Sequence, residues 1–177
     1  MNLVLCGMMG AGKTSVGVKI AELTGLRWYD TDRMIEHRHG KISDIFEYYG
    51  EAYFRKLETE LVKELADRDG LVISTGGGLV LKPENNELLQ KNGKIVFLRA
   101  ELDTLEKRLR IDDSRPLLHG DASPVYQKLE KLLKERTPVY EGAADYSVSV
   151  ENKTVEEIAC EVIALVQLTA TKGAESR

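Results

Sequence analysis

A short apolar run that stops at a glycine, followed within seven residues by two more glycines, a lysine and a threonine, leaves few folds open to this chain. Asn2–Cys6 is apolar and bounded by Gly7, as expected of a strand buried on both faces. Gly7-Met8-Met9-Gly10-Ala11-Gly12-Lys13-Thr14 then matches G-x-x-x-x-G-K-[ST]. Val16, Ile20 and Leu23 follow at helical spacing, and Gly25 supplies a stop. A strand, a glycine-rich turn and a helix in that order cradle phosphate. Glycines let the backbone curl so that successive N–H groups face one anion, and the helix start adds the positive end of its dipole. Lys13 offers charge to the β- and γ-phosphates, and Thr14 offers a hydroxyl to Mg²⁺.

The rest of the chain continues the alternation. Arg27–Asp30, Leu71–Ser74, Lys94–Leu98 and Tyr146–Val150 are further strand candidates. A helix is predicted from Thr31 to about His39, and Ser43 is expected to cap a short one ending at Tyr49 before Gly50. Glu51–Arg68 repeats Phe54, Leu57, Leu61 and Leu65 on one face, and Pro83 suits the first turn of a helix reaching about Asn92. Leu102, Leu105 and Leu109 mark another helix. A further one starts at Ser123-Pro124, faces Val125, Leu129, Leu132 and Leu133 inward and ends near Arg136. Thr154-Val155-Glu156-Glu157 is a capping box ahead of Ile158, Val162 and Val166. Strands alternating with helices imply an α/β fold with a parallel sheet covered on both faces. The whole chain, 1–177, reads as one domain with a frayed tail from about 169. Two stretches exceed the rhythm, 31–60 and the polar 111–123, and such excursions carry function. The second is expected to be a mobile lid.

Composition narrows the partners. The chain has 177 residues, enough for a single core, and its 25 Lys and Arg against 29 Asp and Glu leave a net charge of -4. Without a basic stripe, neither nucleic acid nor an anionic membrane is an expected partner. No apolar run approaches the roughly 20 residues that span a bilayer. Met1–Cys6 lacks the pattern of a signal peptide, so a cytoplasmic location is expected. Cys6 and Cys160 lie far apart in apolar contexts without a CxxC pattern, and both are expected to be reduced, buried thiols.

The phosphate motif does not say which reaction follows. Leu71-Val72-Ile73-Ser74 ends in serine, where many NTPases place a metal-holding aspartate, and no NKxD-like guanine-reading sequence is present. The strand that ends in acid is the second, at Tyr29-Asp30-Thr31-Asp32. If the extended geometry persists, Asp30 and Asp32 point the same way, at the strand end where α/β sheets bind ligands. One acid could then hold hydrated Mg²⁺ and the other accept the proton of an attacking hydroxyl. Alternatively, Asp32 caps the next helix. Arg55 and Glu58 share a helix face at i, i+3 and make either a surface ion pair or an arginine steered toward a substrate carboxylate. Gly76-Gly77-Gly78 after a buried strand points to close backbone approach of a ligand or helix. Arg136 either supplies charge at a helix C-terminus or faces a ligand. Arg115, in the polar loop, suits a lid that delivers charge to a transferred phosphoryl group.

Taken in order, GMMGAGKT, YDTDRMIE, IFEYYGEAYFRKLE, STGGG, SRPLL and ERTPVYEGAADY resemble the shikimate kinase family of P-loop enzymes, over residues 1 to about 166. The resemblance implies a three-layer fold with a five-stranded parallel sheet in the order 2-3-1-4-5. It implies Mg-ATP and shikimate as ligands, no nucleic acid, no membrane, and a monomer. It places Gly10, Ala11, Gly12, Lys13, Thr14 and Ser15 at the nucleotide phosphates, with Thr14 on Mg²⁺ and Asp30 on the metal through water. Asp32 would hold substrate hydroxyls and take the reacting proton. Arg55 and Arg136, helped by backbone at Gly77 and Gly78, would hold the shikimate carboxylate, and Arg115 would arrive with the lid. Arg110 and the loop Asn152-Lys153 would flank adenine, although Arg108 is an equal candidate. Two other readings remain open at this stage: a gluconate-type kinase of the same group, and a non-catalytic nucleotide-binding protein.

Overall fold

The structure is a computed structural model and describes residues 1–111 and 122–167. Five strands, β1 (Asn2–Cys6), β2 (Arg27–Asp30), β3 (Leu71–Ser74), β4 (Gly93–Arg99) and β5 (Tyr146–Ser149), form one sheet in the order β2-β3-β1-β4-β5. Every pairing is parallel. Among the described residues the helices are α1 (Lys13–Thr24), α2 (Thr31–His39), α3 (Ile42–Ala66), α4 (Pro83–Lys91), α5 (Leu102–Ile111), α6 (Ala122–Ala143) and α7 (Val155–Leu165), with a 3-10 turn at Leu79–Leu81.

Right-handed crossovers decide which face each helix covers. The step from β1 to β2 runs one way along the sheet and carries α1 to one face, where α7 packs against it. The steps from β2 to β3, β3 to β4 and β4 to β5 run the other way and place α3, α4 and α6 on the opposite face. The chain therefore leaves the adjacent strands β1 and β3 toward opposite faces. The crevice between their carboxyl ends is where such sheets take ligands. The register aligns Leu5 with Ser74 and Ser74 with Asp30, so three strand ends lie side by side.

The core explains why these segments form these elements. All five residues of β1 are buried, as are Leu71, Val72 and Ile73 of β3 and Ile95–Leu98 of β4, which accounts for their unbroken apolar runs. Phe54, Leu57, Leu61 and Leu65 of α3 and Ile158 and Val162 of α7 face inward, as their spacing predicts. Gly17 sits inside α1, where glycine costs about 1 kcal/mol against alanine. A Cβ there would lie only 2.6 Å from the Trp28 indole nitrogen, so the glycine lets α1 press onto the sheet.

Several expectations are corrected. Ser43 does not cap a helix: α3 begins at Ile42 after Lys41, the Ile42 N–H donates to Glu36 Oε1 at 3.2 Å, and the Ser43 hydroxyl donates to its neighbour Asp44. Gly50 does break the helical course, as expected. Its backbone (φ 80°, ψ 169°) is far from helical, a conformation open to glycine, so α3 is two helical segments joined at a kink. Helix α6 does not end near Arg136 but runs through Pro138 to Ala143, so Arg136 lies mid-helix and its charge does not serve a C-terminus. Cys160 is exposed, because the buried stripe of α7 runs through Ile158, Ala159 and Val162 and leaves position 160 outside; Cys6 is buried as expected. The capping box at Thr154 is present in full. The lid stretch 112–121, with Arg115, and the tail from 168 lie outside the described residues.

Candidate active site

The loop after β1 curls through Gly10 (φ 81°) and Gly12 (φ 96°), left-handed conformations that a side chain resists. Lys13 folds back over this loop, its ammonium donating to the carbonyls of Gly7 and Met8 at 2.8 Å each. Thr14 is half-buried in the first turn of α1, and Ser15 beside it is exposed. Ser74, where an acid was absent from the sequence, acts as a tie. It accepts from the Trp28 indole at 3.0 Å and donates to the Lys13 carbonyl at 2.8 Å, fixing the start of α1 to β2 and β3.

The acid pair is arranged differently from a strand alternation. The chain turns into α2 directly after Asp30, so Asp32 is in the first helical turn. Asp30, not Asp32, is the cap: its Oδ1 accepts from the N–H groups of Asp32 and Arg33 at 3.1 and 3.2 Å. Its Oδ2 accepts from the Thr14 hydroxyl at 2.9 Å. Asp32 instead reaches the glycine run after β3. A Cβ on Gly76 would collide with its carboxylate, and the Gly76 N–H donates to the Thr31 hydroxyl at 2.9 Å.

The same glycine run meets both arginines. A Cβ on Gly78 would stand 2.6 Å from Arg55 Nη2, and one on Gly77 would stand 3.6 Å from Arg136 Nη1. Side chains from α2, α3 and α6 thus converge on three successive glycines, and the approach of Asp32 and Arg55 leaves no room for a Cβ at Gly76 and Gly78. Arg55 is gripped by Glu58 (Nη1 to Oε2, 2.8 Å) and by Glu51 (Nη2 to Oε1, 2.9 Å). The two acids differ: the Glu51 side chain is 65% exposed and that of Glu58 only 1%. An exposed pair contributes little and exchanges readily, whereas a buried one persists. Burial pushes the Glu58 carboxyl above its ordinary range, the Arg55 hydrogen bond and charge pull it back, and the Asp32 charge adds to the rise. Its second oxygen, Oε1, is buried without a hydrogen-bond partner among the described residues.

On the far side of the phosphate loop, Arg108 donates from Nη1 to the carbonyls of Gly10 and Ala11 at 3.2 and 3.1 Å. The loop after β5 lies near: Glu151 accepts from Thr104 at 2.6 Å and from the Glu101 N–H at 2.9 Å. Asn152 takes a left-handed backbone (φ 55°), and Lys153 pairs with Glu161 at 2.6 Å. The side chain of Arg110 lies outside the described residues. Sequence reasoning passed over Thr31, Ser74, Glu151 and Tyr140, each of which holds part of this site by a bond to a residue distant in the chain. For Tyr140 the one available signal was its place four residues after Arg136.

Three comparisons bear on this geometry. A family model described as shikimate kinase matches residues 9–167. A shikimate kinase of Caldanaerobacter subterraneus subsp. tengcongensis is 42% identical over 92% of this chain and 94% of its own. One of Neisseria meningitidis serogroup C is 46% identical over 85% of this chain and 88% of its own. Among solved structures, a shikimate kinase from Acinetobacter baumannii in complex with shikimate superposes with a TM-score of 0.86 at 38% identity, covering 94% of this chain and 92% of that one. A gluconokinase from Sinorhizobium meliloti, at 22% identity and a TM-score of 0.59, shares the fold alone. A glycine run that admits two arginines and an aspartate beside a phosphate loop, and relatives that match nearly end to end, place this chain in the shikimate kinase family.

Proposed function

We propose that the chain transfers the γ-phosphate of ATP to the 3-hydroxyl of shikimate, giving shikimate 3-phosphate and ADP, a step in aromatic amino-acid biosynthesis. The observation that carries this is the convergence of Asp32, Arg55 and Arg136 on Gly76–Gly78, across the crevice from the phosphate loop. Arg55 and Arg136 hold the carboxylate, with backbone at Gly77 and Gly78. The shikimate carboxylate displaces exposed Glu51 from Arg55, while buried Glu58 keeps the guanidinium in place.

Gly10–Ser15 bind the nucleotide phosphates. Lys13 exchanges its two loop carbonyls for phosphate oxygens, where its charge stabilises the transition state. Asp32 orients the 3-hydroxyl and accepts its proton as the oxygen bonds to phosphorus and the bond to the β-phosphate bridging oxygen breaks. Arg115 comes over with the lid 111–123 to neutralise the transferred group. Arg110 or Arg108, the latter in contact with the phosphate loop, flanks adenine together with Asn152-Lys153.

The hydroxyl of Thr14 and the carboxylate of Asp30, 2.9 Å apart, are hard oxygen donors and fit Mg²⁺, Thr14 directly and Asp30 through water. When bound there, the metal supplies charge that offsets the phosphate oxygens.

The enzyme is a single domain over 1–177 and works as a monomer in the cytoplasm, without nucleic-acid or membrane partners. Among the described residues no helix is long and apolar enough to cross a membrane. The decisive experiment is ATP consumption with shikimate, with gluconate and with neither, using Lys13→Ala as a control. Turnover only with shikimate, reduced about 10²–10³-fold in Lys13→Ala, is expected. Turnover with gluconate, or without any acceptor, defeats the assignment.

A further inference from the structure

Tyr140 is fully buried in the core, where a phenylalanine would fill the same space without a polar atom to satisfy. Its ring packs on Phe97 of β4, with centroids 5.2 Å apart. Its hydroxyl donates to the Gly77 carbonyl at 2.6 Å and lies 3.7 Å from Met8 Sδ in the phosphate loop. Burial pushes the phenol up to about 12, against the pull of the neighbouring Arg136 charge, so the hydroxyl remains a donor throughout the working pH range.

That bond determines more than one carbonyl. The Gly77 C=O and the Gly78 N–H belong to a single planar trans peptide and point in opposite directions. Holding the carbonyl toward Tyr140 in the core turns the Gly78 N–H away from Tyr140, in a residue against which Arg55 packs. Glycine has no side chain to restrict this peptide, so without an anchor it could rotate. Tyr140 also lies one helical turn beyond Arg136, so the contact that seats its hydroxyl on Gly77 brings the Arg136 guanidinium to the same glycine.

We propose that Tyr140 is a positioning residue for carboxylate recognition, aiming the Gly78 N–H through the Gly77 carbonyl and seating Arg136 beside it. This rests on the assignment of the carboxylate site made above. Tyr140 touches no reacting atom. It aligns two donors, contributed by β3's following loop and by α6, that lie about sixty residues apart in the chain.

The test is Tyr140→Phe, which keeps the ring and removes the hydroxyl. Steady-state kinetics with shikimate, shikimate methyl ester and ATP are compared with the natural enzyme, below the melting midpoint of the less stable protein. The expected result is an increase in KM for shikimate of about 10-fold, a smaller change in kcat and an unchanged KM for ATP. The penalty should largely vanish with the methyl ester. A lowered Tm with equal effects on both acceptors means a structural role only and overturns the proposal. Arg136→Ala, run with the same two acceptors, separates the two claims. If its penalty depends on the carboxylate and that of Tyr140→Phe does not, the carboxylate site stands and the positioning role falls. If neither depends on it, both fall. A second measurement does not depend on the variant's folding. In the natural protein the Gly78 amide resonance should shift on binding shikimate and much less with the ester; no shift with shikimate overturns the proposal.

Discussion

The Thr14 hydroxyl donates to one oxygen of Asp30 at 2.9 Å while the other oxygen accepts from the N–H groups of Asp32 and Arg33 in the first turn of α2. One carboxylate therefore joins the phosphate loop to the helix that carries Asp32. Asp30→Asn keeps a good cap and loses the charge, so it is expected to raise the Mg²⁺ concentration needed for half-maximal rate with little change in Tm. Asp30→Ala also loses the cap and should destabilise the protein by a further ~1 kcal/mol. Asp32→Asn should lower kcat by about 10²–10⁴, with no rescue by excess metal. Mg²⁺ titrations and melting curves on the three variants check this. Rescue of Asp32→Asn but not of Asp30→Asn would exchange their roles.

Arg136 and the substrate carboxylate should couple. Two cations closing on one anion in a partly dry site contribute about 1.5–3 kcal/mol per charge-assisted contact, so Arg136→Ala should raise KM for shikimate by roughly 10–150-fold, with little effect on ATP. Arg136→Lys should also be costly, because an ammonium cannot reproduce a planar two-point contact. Shikimate methyl ester is expected to be a poor substrate for the natural enzyme and to lose much of that disadvantage in Arg136→Ala. Strictly additive penalties would falsify the contact.

Glu58 is expected to make shikimate affinity pH-dependent. Burial raises its carboxyl above the ordinary range, so as pH falls it takes up a proton before exposed carboxylates do, and Arg55 loses the charge that fixes its rotamer. KM for shikimate should climb on the acid side. In Glu58→Gln it should be high throughout and lack that limb. The stability effect has the opposite sense. The native state holds this proton more tightly than the unfolded chain, so the favourable contribution is complete below the unfolded pKa and is lost as pH rises through the folded one. A natural enzyme and a Glu58→Gln variant with superimposable pH profiles for KM would remove Glu58 from substrate binding.

The two thiols should separate cleanly in labelling. Burial pushes Cys6 up to about 12, with the Lys13 charge opposing, and it has no route to solvent. Cys160 is exposed. Titration of the folded enzyme with a thiol reagent should modify one residue, identified as Cys160 by peptide mapping, without loss of turnover. Cys6 should react only after unfolding. Modification of Cys6 in the native state would contradict its burial.

What the sequence by itself determined is what the chain encodes locally. Asn2–Cys6 and Lys94–Leu98 read as strands because buried parallel strands need unbroken apolar runs, and the second proved one residue longer at each end. The phosphate loop was legible because its glycines, Lys13 and Thr14 act within one strand-turn-helix unit. Helices α1, the second half of α3, and α7 followed from one-sided apolar spacing. Tertiary structure decided everything that depends on two distant segments meeting. Asp30 is the cap because the chain leaves β2 at once into α2. Arg136 lies in mid-helix beside Gly77 because α6 absorbs Pro138 and carries on to seat Tyr140. Arg108 reaches carbonyls nearly a hundred positions earlier in the chain, and the Tyr140 hydroxyl reaches Gly77. The exposure of Cys160 was set by which stripe of α7 the neighbouring helix α1 covers. The physical reason is common to all of these. Propensity and periodicity act over a few residues, whereas burial and hydrogen-bond partnership depend on which surfaces the packed sheet brings together.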